Sequence, residues 1–408
     1  MFSRHDLRAA FARSLSAMYG TEVPAYATLV EVSTAVNSDV LAADPERAEH
    51  LGQIGRVTAE RHGAIRLGTA AELRAVAVIF AAMGMEPVDF YDLRGNEATS
   101  LPIVSTAFRP TTKAALAINP FRVFTSLLVT DDRRYFDENL QAELDAFLAR
   151  RTLFPPELLE LAQRAETDQG LVDSDAARFL TLATACFALS PEPIDRAWYQ
   201  RLAQVSGVAA DIGGVTTTHL NHLTPRVLDI DDLYARMQAL GITMIDEIQG
   251  PPGWNGPDVL LRQTSFRALA ERRRFREVDG MVVDGSLSVR FGEVEQRGIA
   301  LTRAGRDRYD RMIAGVDERS AGLTAAARND IKVAVWREQL PASERELREA
   351  ELAFFEYAPA VPPPTGEPPA RTGTPRTDLR ALVDAGWLLP HPIVYEDFLP
   401  RSAAGIFA

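Results

Sequence analysis

Apolar positions along the chain follow two periods in turn. Residues 3–60 carry the 3.6-residue spacing of helices, opening with Asp6-Leu-Arg-Ala-Ala-Phe-Ala-Arg-Ser-Leu15. From His62 to Thr130 the pattern changes to strand, helix, strand, strand, strand. An apolar-periodic helix over Ala71–Met83 stops at Gly84, and strand-like runs follow at Met85–Tyr91, Ser105–Arg109 and Phe121–Leu128. The helical period returns from Asp131 to about Gly207, with Phe154-Pro-Pro156 as a breaker. Between His219 and Leu301 the mixed pattern recurs. Asp229-Ile-Asp-Asp232 supplies the cap of a helix ending at Leu240, followed by Gly241 and strand-like Ile242–Ile245, Gln263–Arg267 and Val289–Arg297. Ala304–Ala358 reads as helical and charge-laced, Val361–Pro375 as a proline-rich extended loop, and the stretch from Asp378 as a helix leading to an apolar, docked terminus.

This order predicts an α+β fold of two pseudo-symmetric βαβββ modules. The expected organisation is N-terminal helices plus the first module over 1–130, a helical insertion over 131–207, the second module over 208–302, and a C-terminal helical region over 303–408. The duplication is visible in His62-Gly-Ala-Ile-Arg66 and His222-Leu-Thr-Pro-Arg226, two His-x-x-x-Arg copies 160 positions apart. A Thr-x-Phe-Arg echo ends at Arg109 and Arg267, 47 and 45 positions after the respective histidines. Only two copies at so long a period indicate paired modules of one fold, not a solenoid.

Charge narrows the partners. Forty-four basic against fifty-six acidic residues give −12, and Arg272-Arg-Arg274 is the densest basic run. A field of that sign disfavours nucleic acid and anionic membrane surfaces, while a small anion needs a local arginine to be held. The single cysteine, Cys186 in apolar Thr184-Ala-Cys-Phe-Ala188, excludes an internal disulfide and reads as a structural thiol in a reducing compartment. With no apolar leader at the N-terminus and no run near the ~18 apolar residues of a membrane span, the expected location is the cytoplasm.

If the modules are symmetric, their first strands offer His62 and His222 at matching positions. Their last strands align Phe121-Arg122-Val-Phe-Thr125 with Val289-Arg290-Phe-Gly-Glu293, so that Thr125 and Glu293 occupy equivalent slots. Two imidazoles and one carboxylate leave coordination positions open, the arrangement of non-haem Fe(II) oxygenases. His219 competes with His222, but repeat register and strand alternation favour His222. Glu295 shares a face with Glu293 and is one slip of two residues away. Arg66 shares a strand face with His62, placed to hold a substrate carboxylate bidentately, although an arginine ion-paired at a module edge fits the spacing equally well.

Five stretches resemble, in order, the 2-oxoadipate dioxygenase/decarboxylase family: His62-Gly-Ala-Ile-Arg66-Leu-Gly-Thr69, Asn119–Leu128, Asn221–Arg226, Phe291-Gly-Glu-Val-Glu-Gln-Arg-Gly298 and Glu396–Phe407. Phe291–Arg297 is also similar to the strand carrying the iron-binding glutamate of hydroxyphenylpyruvate dioxygenases. The resemblance implies a vicinal-oxygen-chelate type fold, an Fe(II) cofactor, and conversion of 2-oxoadipate and O2 to D-2-hydroxyglutarate and CO2 in lysine breakdown. It implies His62, His222 and Glu293 as metal ligands, with Arg66 and Ser402 binding substrate. Arg401 departs from the family pattern, which has a small aliphatic residue there. The alternatives are a glyoxalase-type metal lyase or isomerase, or the same oxidative decarboxylation of another 2-oxo dicarboxylic acid.

Overall fold

The computed structural model describes residues 1–43, 60–95, 100–288, 290–370 and 373–397. Residues 44–59, Arg401 and Ser402 lie outside the described residues. Contacts group the described residues into two compact units, one of 1–245 with 264–295, the other of 246–263 with 296–397.

The first unit holds both modules' leading strands. Its five-stranded sheet runs Glu86–Asp92, Ile103–Arg109, Arg122–Leu128, Glu60–Leu67, Leu220–Pro225. The last two belong to different modules and pair antiparallel, Ala64 opposite His222 and His62 opposite Thr224. Glu60–Leu67 is parallel to Arg122–Leu128, with His62 beside Arg122 and Ala64 beside Phe124. Beyond Leu220–Pro225, a parallel bridge from Arg226 to Glu295 carries the order on to the Glu293–Arg297 strand.

Each leading strand is followed by a capped helix. Thr69 and Glu72 form a reciprocal capping box at the start of Ala70–Ala81, and Asp229 accepts from the amides of Asp231 and Asp232 at the start of Ile230–Ala239. Both helices are followed by a glycine in the left-handed region, Gly84 at φ 66° and Gly241 at φ 78°, where a Cβ would be strained. The repeat is thus a repeat of caps and stops as well as of histidines.

The second module departs from the expected strand list. Ile242–Ile245 contributes only the Met244–Phe266 bridge, and the last strand is confined to Glu293–Arg297. An unforeseen hairpin, Glu271–Arg276 with Val282–Leu287, carries the arginine run. Its first strand is Glu271-Arg-Arg-Arg-Phe-Arg276, with Phe275 its one apolar residue, so the period-2 apolar signal that sequence reading relies on is weak there. In the C-terminal region Phe355–Pro359 is a strand paired with Leu388–Pro392, not the end of a helix. The second unit is centred on fully buried Trp336, packed among Met312, Val316, Val335 and Leu347.

The insertion folds as the helices Glu138–Leu148, Pro156–Thr167, Asp173–Ala185 and Arg196–Val205. Arg151 between the first two holds Glu72 through both Nε and Nη2 (2.6 and 2.8 Å) and donates to the Ile212 carbonyl at 2.8 Å. The insertion therefore locks the first module's helix cap to the segment leading into the His222 strand. Cys186 caps Asp173–Ala185, half-buried, with burial pushing its thiol up to about 11, unsuited to nucleophilic work. Among the described residues no helix is long and apolar enough to cross a membrane.

The N-terminal helix Arg4–Glu22 is stitched to the first module by buried Arg8, which donates to the carbonyls of Asn119, Met83 and Ala115 at 3.1, 2.8 and 2.9 Å. Removing it leaves buried acceptors unsatisfied, at about 1–3 kcal/mol for such a loss. Arg8→Ala is expected to destabilise the fold by about 3 kcal/mol, read as a lowered thermal midpoint. An unchanged midpoint would show that these bonds contribute nothing net.

Candidate metal centre

His62, His222 and Glu293 are all buried, and each offers a ligand atom within 4.8 Å of the other two. The antiparallel pair brings the two imidazoles to 5.6 Å between ring centroids, nearly perpendicular. His62 Nε2 lies 3.1 Å from Glu293 Oε1, and its Nδ1 lies 3.4 Å from Glu295 Oε2. Thr224 Oγ1 donates to Glu293 Oε1 at 3.1 Å and stands 3.1 Å from His62 Nε2.

The two histidines differ electrostatically. At His62, burial opposes the charged form, but hydrogen bonds with Glu293 and Glu295 outweigh it and raise the pKa. At His222, burial, reinforced by the charges of His62 and Arg66, lowers the pKa well below the usual imidazole value. His222 is therefore neutral, with a lone pair to offer. Both its ring nitrogens are buried without a hydrogen-bond partner among the described residues. An orphaned polar group of this kind costs about 1–3 kcal/mol unless something fills it, and a metal ion would. Phe291 stacks on the ring at 4.9 Å and fixes its plane. The donor set, two nitrogens and a carboxylate with no thiolate, fits a divalent metal with open positions.

Glu295, the competitor of Glu293, stands behind His62. A carboxylate on the far nitrogen of a ligating histidine orients the ring and raises its basicity. His219 is kept from the triad by its own partner, since its Nε2 lies 3.2 Å from Asp211 Oδ1. Alternation alone does not account for this, because the pairing jumps from His222 to Leu220 between Ala64 and Ile65, leaving Asn221 in a bulge.

Thr125 does not take the slot expected of it. Residues side by side on parallel strands share a face, and Thr125 lies beside Ile65, which alternates with His62 and Arg66. The Arg226–Glu295 bridge sets Glu293 beside Thr224, and Thr224 corresponds to Ala64, beside Phe124. The counterpart of Glu293 is therefore Phe124, one residue from the sequence alignment, and a one-residue slip on a strand reverses the face. An aromatic ring stands where symmetry would put a fourth ligand.

Arg66 is buried on the His62 face, with Nη1 2.5 Å from Asp211 Oδ2. Asp211 also accepts from Asn221 Nδ2 at 2.8 Å. Burial would raise the Asp211 pKa, but the charges of His219 and Arg66 outweigh it and hold the carboxyl low. Breaking such a buried pair costs about 3–5 kcal/mol. A cleft of about 150 Å³ borders Asp211 and His219 and is lined by Arg273 and Arg276, but by none of the triad. Sequence reading missed Asp211, although a lone acid inside apolar Val208-Ala-Ala-Asp-Ile212 must be paired if buried, and that was its signal. It also missed Tyr19, whose hydroxyl meets the carbonyls of Asn221 and Phe291, both at 2.8 Å, and so ties the N-terminal helix to the His222 and Glu293 segments. A tyrosine at helix spacing carries no sign of such a role.

Two pseudo-symmetric modules around a buried His–His–Glu set have the fold of the vicinal-oxygen-chelate, or glyoxalase, type and a donor set that could hold a metal. A glyoxalase superfamily protein from Ralstonia eutropha shares the fold at TM-score 0.54, with 21% identity over 72% of this chain and 84% of the other. The family model for 2-oxoadipate dioxygenase/decarboxylase matches residues 11–408, and the chain belongs to that family. The 2-oxoadipate dioxygenase/decarboxylase of Mycobacterium bovis is 54% identical over 98% of this chain and 86% of its own length. That of Pseudomonas putida is 41% identical over 99% and 86%. The crystal structure of hydroxyglutarate synthase in complex with 2-oxoadipate from Pseudomonas putida superposes at TM-score 0.86, with 38% identity over 100% of this chain and 89% of the other.

Glu295→Gln is expected to weaken metal affinity about 10–100-fold, measured by titration against a competing chelator. Wild-type affinity in that variant would mean that His62 needs no support from Glu295.

Proposed function

We propose that this chain is an Fe(II)-dependent dioxygenase that oxidatively decarboxylates 2-oxoadipate, with His62, His222 and Glu293 as the metal ligands. The observation that carries the reading is the neutral, buried and unpartnered His222 imidazole within 4.8 Å of His62 and Glu293 ligand atoms. Membership of the 2-oxoadipate dioxygenase/decarboxylase family selects the reaction from those such a centre can serve.

Bound there, Fe(II) supplies the redox chemistry that lets O2 react with a 2-oxo acid. Only three protein ligands contribute, which leaves room for substrate and O2. The remaining work is positioning. Arg66, on the His62 face, holds a substrate carboxylate through its planar guanidinium fork. Ser402, outside the described residues, is carried over from the family resemblance as a second substrate-binding residue. Phe291 and Phe124 bound the metal face with apolar surface and limit water.

The reaction balances with one substrate and O2. The C1 carboxylate leaves as CO2, and the keto carbon becomes the new carboxylate by taking one oxygen atom. The other oxygen atom ends as the hydroxyl on the neighbouring carbon, giving 2-hydroxyglutarate. No separate 2-oxoglutarate cosubstrate is consumed. The lone cysteine fits a cytoplasmic enzyme.

Protein supplied with Fe(II) should consume O2 and release CO2 one for one with 2-oxoadipate, measured by oxygen electrode and trapped CO2. Undiminished product under anaerobic conditions would eliminate the scheme. A redox-silent metal supporting full activity would favour a glyoxalase-type lyase instead. His222→Ala should lose bound metal and turnover together, whereas His219→Ala should keep its metal. The reverse pattern would reassign the ligand.

A further inference from the structure

We infer that Asp211 is the positioning residue of the substrate clamp, orienting the Arg66 guanidinium and tying it to the strand that carries His222. The inference rests on the proposed role of Arg66 in holding a substrate carboxylate.

Arg66 and His222 come from different modules, so nothing in the local sequence of either fixes their mutual geometry. One carboxylate joins them. Asp211 Oδ2 accepts from Arg66 Nη1 at 2.5 Å and from Asn221 Nδ2 at 2.8 Å, while Oδ1 meets His219 Nε2 at 3.2 Å. Asn221 and His219 lie one and three positions before His222. The Arg66 backbone is tied to the same segment, because Thr218 Oγ1 donates to its carbonyl at 2.8 Å. Asp211 in turn sits on the short helix Gly207–Gly213, whose Ile212 carbonyl is held by Arg151.

This arrangement matters because a guanidinium recognises a carboxylate through a planar fork, which works only in one orientation. A long side chain on a strand does not hold its fork still by itself. Engaging Nη1 with a buried, immobile anion selects the rotamer and sets the plane. The negative charge of Asp211 also offsets the cost of a buried arginine before substrate arrives, so the clamp can be buried without being neutralised by the substrate alone. An ion pair with a purely structural role would make a different prediction: loss of stability with substrate affinity intact in whatever remains folded.

The test compares Asp211→Asn, Arg66→Ala and the double variant in the iron-loaded, full-length enzyme, following 2-oxoadipate kinetics, iron content and thermal midpoint. Asp211→Asn is expected to raise KM roughly tenfold while kcat stays within about threefold and iron content stays at the wild-type level. In the Arg66→Ala background, adding Asp211→Asn should raise KM no further, because Asp211 acts through Arg66. Wild-type KM in Asp211→Asn, or KM effects that add in full in the double variant, would overturn the inference. So would a loss of iron and kcat at unchanged KM, which would place the role of Asp211 at His222 instead. An inactive wild-type enzyme would instead remove the functional reading itself, and the two failures are thereby distinct.

Discussion

Two imidazoles 160 positions apart share one buried sheet face because Glu60–Leu67 and Leu220–Pro225 pair antiparallel, with Ala64 opposite His222 and His62 opposite Thr224. Every other feature of the centre is referred to that seam. The Arg226–Glu295 bridge then sets Glu293 next to Thr224, so the carboxylate arrives on the same face as both rings. A shift of the pairing by one residue would turn the histidines of one module to the opposite side of the sheet. The devices that resist such a shift lie around the seam: Tyr19 bonded to Asn221 and Phe291, Thr218 bonded to the Arg66 carbonyl, and Asp211 across both strands.

Burial gives these groups their chemistry at an electrostatic cost. Two imidazoles, two glutamates, an aspartate and an arginine are all removed from water, in a chain whose net charge is −12. Desolvated charges persist only when paired. Glu295 and Glu293 lie against His62, Asp211 engages Arg66 and His219, and both ring nitrogens of His222 lack a hydrogen-bond partner among the described residues. The asymmetry between the modules follows the same logic. The first supplies one histidine and the arginine, the second one histidine and the glutamate, and Phe124 stands at the remaining symmetric position.

Much of this was legible in the chain. His62 and His222 stand out because each opens a module whose helix cap, glycine stop and Thr-x-Phe-Arg echo recur with it, and such local signals survive without knowledge of the fold. The helices of the insertion were equally plain from their apolar period. The hairpin Glu271–Leu287 was not, since arginines fill most of its first strand and only Phe275 there is apolar, and Phe355–Pro359 was absorbed into a helix because its partner lies some thirty positions away at Leu388–Pro392. Thr125 was chosen over Phe124 by aligning two strands on Arg122 and Arg290, chemically alike residues whose places in the sheet differ by one.

The sequence by itself determined the duplication and the residue types of the candidate centre, since these depend on which side chains exist and on periods of two and 3.6. Only the tertiary structure decided which glutamate meets the metal face, which residue fills the empty slot, and that Asp211 holds Arg66. Those outcomes depend on register between strands and on partners distant in sequence. A strand's own alternation says which residues share a face, but only its neighbours say which way that face points.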